Sequence, residues 1–175
     1  GYGSDTAGFL VSADIFQTDG YRERSKSKKT SVMANGYFDV TDKLTIKPYL
    51  TYFATGYQLP GSLTKAQVDH DPTMATNRGD DGTEIHMGGG FLARFEASDR
   101  LTIELPVDYI RKKTTADTES WSQYTDKLWH QFDARPKASY EGAGKIGEYR
   151  ISGGFDFEGA LEGADVYSDE KRTNL

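Results

Sequence analysis

Residues 84–112 read EIHMGGGFLARFEASDRLTIELPVDYIRK. Every second residue from Ile85 through Met87, Gly89, Phe91, Ala93 and Phe95 is uncharged, while Arg94 and Glu96 fall on the positions between. After Ser98, Asp99 and Arg100 the alternation resumes, with Leu101, Ile103, Leu105, Val107 and Tyr109 set against Glu104 and Asp108. Period two is the repeat of a β-strand, whose successive side chains point to opposite faces. Three polar residues between two such runs make a tight turn. The stretch therefore predicts an antiparallel hairpin with one apolar and one charged face.

The same pattern extends in both directions. Seven runs alternate, at about 8–17, 30–40, 44–55, 84–97, 101–112, 127–140 and 148–158. The other five runs place Phe9, Val11, Ala13, Ile15; Val32, Ala34, Gly36, Phe38, Val40; Leu44, Ile46, Pro48, Leu50, Tyr52; Leu128, His130, Phe132, Ala134, Pro136, Ala138, Tyr140; and Tyr149, Ile151, Gly153, Phe155, Phe157 on the uncharged side. No Asp, Glu, Lys or Arg occurs among them. The opposite side carries Asp14, Asp39, Lys47, Arg94, Glu96, Glu104, Asp108, Asp133, Arg135, Lys137, Arg150, Asp156 and Glu158.

Composition narrows the function classes. With 21 Lys and Arg against 27 Asp and Glu, the net charge of −6 argues against a nucleic-acid partner, which needs cations to neutralise phosphates. There is no cysteine, so thiolate metal sites and disulfide frameworks are excluded. No run approaches the ~18 apolar residues of a transmembrane helix. The 19 Gly and 11 Tyr suit many short strands.

One dry and one wet face describe either a soluble β-sandwich or a membrane barrel. The connections favour the barrel. Residues 41–43, 98–100 and 141–147 form short links, and they alternate without exception with links of about 12, 28 and 14 residues. An up-and-down meander puts all short turns on one rim and all long loops on the other, as in outer-membrane barrels. Most runs also have the ~9 to 11 residues with which a tilted strand crosses a hydrocarbon layer. Phe38, Phe95 and Tyr140 by the turns, and Phe9, Tyr52 and Tyr109 toward the loops, fit interfacial girdles. The expected fold is an all-β antiparallel up-and-down meander of about seven strands. A soluble or surface-attached β-sandwich binding module is the alternative.

The longest loop contains GYQLPGSLTKAQVDHDP, residues 56–72. Leu59-Pro60-Gly61 turns the chain, Thr64 and Gln67 have capping-box spacing, and Pro72 ends a short helix at about 64–70 within a cap at 57–83. Together with Asp19-Gly20-Tyr21-Arg22 after the first strand, the segments Leu59-Pro60-Gly61, Leu63-Thr64, Ala66 and Asp71-Pro72 resemble the barrel of TonB-dependent outer-membrane receptors. FDARPKASYEGAGKIGEYRISGGFDFEG (132–159) resembles a later hairpin of that family, so the likeness covers nearly the whole chain.

The resemblance implies a place in the outer membrane of a Gram-negative-type bacterium and uptake of a scarce ligand such as a ferric siderophore or other iron chelate. It implies energy from the TonB complex acting through a plug, and a barrel of about 22 strands. The whole chain, 1–175, is then expected to be a partial receptor barrel, a fragment without plug or TonB box. Seven strands leave two open edges, and unpaired edges in lipid cost several kcal/mol per group, so the remaining barrel and plug polypeptide are expected partners alongside outer-membrane lipid. An eighth strand from the start or from ALEGADVYSDEK, closing a small barrel, is a weaker expectation.

Ligand contact is expected from the loop-side rim. Tyr57, Arg78, His86 and Trp121 offer aromatic or cationic surface there to an anionic chelate. Arg94, Glu96, Asp133, Arg135 and Arg150 on the other face are expected to form ion-pair ladders along the wall. GAGKIG (142–147) fits a phosphate-loop spacing but joins two strands, so it is a turn. Residues 77–82 lack calcium-loop spacing, and His70, His86 and His130 lie on different elements. Nothing supports catalysis, a resident metal or a cofactor. Pro48, Pro106 and Pro136 have no explanation at this level beyond local bulges.

Overall fold

The computed structural model describes residues 1–77, 79–144 and 147–168. They form ten strands in one antiparallel sheet, with almost no helix: β1 (Tyr2–Gly3), β2 (Ala7–Thr18), β3 (Ser27–Thr41), β4 (Leu44–Gln58), β5 (Asp81–Ser98), β6 (Leu101–Thr118), β7 (Gln123–Ala134), β8 (Lys137–Gly144), β9 (Gly147–Gly154) and β10 (Phe157–Ser168). A short helix, α1 (Lys65–His70), and a 3-10 turn at Glu119–Trp121 complete the elements. The topology is a meander in which β1 to β7 pair in order and β8 pairs with β9, with β7 and β8 lying end to end along β6.

The expected seven strands become ten because two are interrupted and one short strand, β1, is added beside β2. β8 pairs with the first part of β6 and with β9, while β7 pairs with the rest of β6 and with β10. Thus β7 with β8 is one strand broken at Arg135 and Pro136, and β9 with β10 is one strand broken at Phe155 and Asp156. The stretch ALEGADVYS continues that last strand instead of adding an eighth, and the sheet is not closed among the described residues.

The three prolines account for the breaks. Pro48 is in register with Phe91, and Pro106 with Leu92, so the line continues across β5 toward Pro136. A proline has no N–H to give to the ladder. Pairing accordingly lapses where Gly36 and Tyr37 face Lys47 and Pro48, and again where Leu105 and Pro106 face Arg135 and Pro136. Single bonds cross the gaps, from Arg135 N–H to Pro106 O (3.1 Å) and from Phe155 N–H to Pro136 O (3.0 Å).

Register carries the two faces coherently across every strand. Val11 faces Ala34, Ala34 faces Leu50, Leu50 faces Gly89, Gly89 faces Tyr109, and Tyr109 faces Phe132. A slip of one residue anywhere would have put charged positions among them. The expected uncharged side is therefore one continuous surface. Among the described residues no second sheet packs on it, so the sandwich alternative is not realised, and no hydrophobic side chain is buried. The accessible surface of 12375 Å² exceeds the roughly 8,500 Å² of a compact protein of this mass.

Glycine and tyrosine content also finds its reason. The rings of Tyr37, Tyr49, Tyr57 and Tyr149 lie over Gly8, Gly90, Gly82 and Gly142, their cross-strand partners, where any Cβ would collide with them. Such pairs shield glycine backbone that would otherwise be bare on a single-layer sheet.

Two expectations need correction. Phe9 lies toward the short-turn rim, because β2 begins there with Ala7 opposite Phe38. The third long connection is also shorter than expected: β6 runs to Thr118 and β7 begins at Gln123, leaving only the 3-10 turn and Ser122 between them. The hydrogen-bond ladder continues after the apolar alternation has ended.

Candidate functional site

The long connections converge on the loop-side rim. In α1 the Thr64 hydroxyl accepts from Gln67 N–H and the Gln67 side chain reaches back to the Thr64 N–H at 2.8 Å, the reciprocal capping box that the spacing predicts. Asp71 follows, its carboxylate accepting from the Thr73 hydroxyl (2.6 Å) and N–H (2.8 Å), and these bonds hold its pKa below the ordinary carboxylate value.

The two loop motifs singled out in the sequence interlock. Arg22 donates to the carbonyls of Gly61 (2.7 Å), Met74 (2.9 Å) and Pro60 (3.4 Å), so its guanidinium is held by the loop that contains LPG. Glu23 adds its N–H to Thr73 O (2.7 Å) and its carboxylate to Ala75 N–H (3.3 Å). Gly61 permits the turn at φ +78, a left-handed conformation that disfavours a Cβ. We expect Gly61→Ala to cost about 1–2 kcal/mol in backbone strain, with a further clash because the new Cβ would lie 2.2 Å from Thr76 Oγ1. Hydrogen exchange should show faster exchange at Thr76 and Asn77 with the β4–β5 ladder unchanged.

Asp80 ties in the third connection. It is 3 % exposed, and among the described residues only Gly8 and Gly82 are also buried. Its carboxylate accepts from Ser120 Oγ (2.6 Å), Ser120 N–H (2.9 Å) and Asn77 Nδ2 (2.7 Å), while its carbonyl accepts from Leu59 N–H (3.0 Å). Burial pushes the carboxyl pKa up, but the Ser120 and Asn77 hydrogen bonds and the Arg24 charge outweigh it and hold the pKa low. Three loops thus form one cap around a single carboxylate.

The expected contact residues are dispersed around this cap. Tyr57 lies on the polar face over Gly82. His86 is on the same face four residues further along β5, edge-on to Phe53 at 5.7 Å and with Nε2 3.5 Å from Glu84. Trp121 projects from the 3-10 turn, 81 % exposed. Arg78 lies outside the described residues. Tyr57 and His86 thus share a face, and Trp121 stands apart on the cap.

Register reveals a grouping that linear reading missed. Lys112 on β6 is directly opposite His86 on one side and Trp129 on the other. Lys127 is the next same-face residue along β7, and Glu162 lies opposite Trp129 on β10. Directly opposite side chains stand about 5 Å apart at Cβ. A cation, an imidazole and an indole therefore line one row below the cap. Lower on the same face the expected ion pairs form: Arg94 with Glu96 (3.4 Å) and Glu104 (3.9 Å), Arg135 with Asp108 (2.7 Å), and Arg150 with Glu141. Tyr49 joins them by donating to Asp108 at 2.6 Å, while Gln131 bridges Asp133 (2.9 Å) and Glu158 (3.2 Å).

Neither a protein-family model nor a curated protein matches the chain. A solved structure does: the ferric citrate transporter FecA in its unliganded form, with a TM-score of 0.66 and 17% sequence identity over 95% of this chain. The chain spans 26% of the length of that transporter. By fold, this antiparallel meander is similar to a section of a β-barrel transporter.

Proposed function

We propose that the chain is part of the wall of a TonB-dependent transporter in the outer membrane of a Gram-negative-type bacterium, taking up an anionic metal chelate such as a ferric chelate. The observation that carries this reading is the continuous apolar surface running through Val11, Ala34, Leu50, Gly89, Tyr109 and Phe132, over which no protein layer lies among the described residues. Side chains such as Val11 (54 % exposed), Leu50 (55 %) and Phe132 (49 %) are suited to contact with acyl chains. The polar face then looks into the lumen, toward a plug and the remaining barrel polypeptide. The interlocked loops form part of the outer rim.

On this reading, the row of His86, Lys112 and Trp129 presents charge and an aromatic surface to an incoming anion. Similarity in fold to a ferric citrate transporter supports an iron chelate as the ligand class. Tyr57 and Trp121 are rim contacts in the same proposal, and TonB supplies the energy through the plug.

Cell fractionation tests the membrane assignment. We expect the protein in the outer-membrane fraction, extractable only with detergent; a monodisperse protein in plain buffer would overturn the reading. For the ligand row, Lys112→Ala should weaken binding of a ferric tricarboxylate about tenfold in titration, the loss of one charge-assisted contact. Unchanged affinity would remove Lys112 from the site.

A further inference from the structure

We infer that β8 and β9 form a hinged section of the sheet, which swings toward the polar face about a seam at Arg135–Pro136 and Phe155–Asp156. Ala134 pairs with Phe157 and Lys137 with Gly154, so Arg135 and Pro136 fall opposite Asp156 and Phe155 and the two strand breaks lie side by side. Residues in a hydrogen-bonded pair of an antiparallel ladder exchange two N–H to O bonds. Here each junction keeps one. Arg135 N–H reaches Pro106 O (3.1 Å) and Phe155 N–H reaches Pro136 O (3.0 Å), but a proline has no N–H to return. The Arg135 and Phe155 carbonyls thereby lose their ladder donors, and the sheet is weakened at one level across neighbouring strands.

The hairpin beyond the seam holds together better than it holds to its neighbour. It is paired within itself from Lys137 with Gly154 to Gly144 with Gly147, and its side-chain bonds, Ser139 with Ser152 (2.8 Å) and Arg150 with Glu141, stay inside it. Among the described residues it joins β6 through the short run Leu101 to Glu104 and by Glu141 N–H to Arg100 O (2.8 Å). No side-chain hydrogen bond or ion pair adds to that run among the described residues; Lys137 stands opposite Glu104 without pairing. On the other side of the seam β7 follows β6 from Val107 to Thr118, with Lys113 bonded to Asp126 (3.2 Å) and Tyr109 to His130 (2.7 Å). A unit tied by few bonds to a well-tied neighbour opens first. Gly154 lets the chain close up at the crease, where a Cβ would come within 2.5 Å of Pro136 O. A cavity of about 640 Å³ lies there, and its lining includes Leu92, Pro106, Arg135, Lys137, Ser152 and Asp156 of the polar face. That is the space into which the hairpin swings. In the proposed transporter the movement narrows the short-turn end of the lumen; this gating role rests on the transport reading, whereas the hinge does not.

The test places nitroxide pairs in the whole protein, at Ser12 with Glu148 across the seam and at Ser12 with Thr125 as a reference, and reads their distances by pulsed electron double resonance. We expect a broad Ser12–Glu148 distribution with a shorter population, and a single narrow one for Ser12–Thr125. Pro106→Val combined with Pro136→Val returns both N–H donors, and should collapse the first distribution to the width of the second. The same variant should slow uptake of a ferric tricarboxylate while its binding affinity is unchanged. A single narrow Ser12–Glu148 distribution with the prolines intact would overturn the hinge, and this reading does not depend on how the valine variant folds. A spread that persists in the valine variant would overturn the seam as its cause. Unaltered uptake in a variant whose distances have narrowed would overturn the gate alone, and absence of uptake by the parent protein would overturn the transport reading with the hinge left standing.

Discussion

On the proposed membrane placement, Leu50→Arg is expected to destabilise the sheet by about 2–4 kcal/mol, whereas Met33→Arg should change stability little. Both side chains are about half exposed, at 55 % for Leu50 and 49 % for Met33, and both sit on adjoining central strands. They differ in face. Leu50 lies opposite Ala34 and Gly89 in the middle of the uncharged surface, while Met33 lies opposite Ser12 and Thr51 on the polar one. If the proposed placement holds, a charge at the first position leaves water for hydrocarbon, while at the second it remains in a wet lumen. Urea titration of the reconstituted protein measures the difference. Equal effects would mean that the two faces meet the same medium.

The second large effect concerns the cap. Asp80→Ala should release the loops from one another, at a cost of about 3 kcal/mol of docking, because Ser120 and Asn77 lose a charged acceptor in a buried position. Arg22→Ala should act in the same direction by withdrawing the donors held by Pro60, Gly61 and Met74. Limited proteolysis within residues 59–80 should accelerate in both variants while the wall stays intact. Acid offers an independent check. The Asp80 carboxyl has a lowered pKa when folded, so its stabilising effect is fully present above the ordinary carboxylate pKa of about 4 and is lost as pH falls through the lower folded value. The cap of the parent protein should therefore loosen only in strong acid, and Asp80→Ala should lack that transition. Protease resistance unaltered by both substitutions would show that the loops hold without these bonds.

The two faces and the strand order were legible in the sequence because strand side chains alternate with period two and register preserves that alternation. Thr64 and Gln67 likewise declared a cap by spacing alone. Strand ends were less legible. β5 and β6 extend to Asp81 and Thr118, past the last alternating apolar residues, since backbone pairing continues after the apolar requirement lapses. The role of Pro48, Pro106 and Pro136 became clear only when register aligned them across several strands. Contacts such as Arg22 with Met74 O, or Asp80 with Ser120, join residues distant in the chain and leave no periodic signal. The row of His86, Lys112 and Trp129 was hidden for the same reason: each residue looks unremarkable on its own strand.

The central claim is that one face meets lipid and the other water. These 175 residues contain no cysteine, so single cysteines can be introduced along β4, one at a time, and labelled with a nitroxide. Power-saturation measurements with oxygen and with a water-soluble nickel chelate then report the medium at each position. Labels at Leu44, Ile46, Leu50 and Tyr52 should be reached by oxygen, and those at Thr45, Lys47, Thr51 and Phe53 by the chelate, alternating with period two. Access of the chelate to both sets would contradict the account.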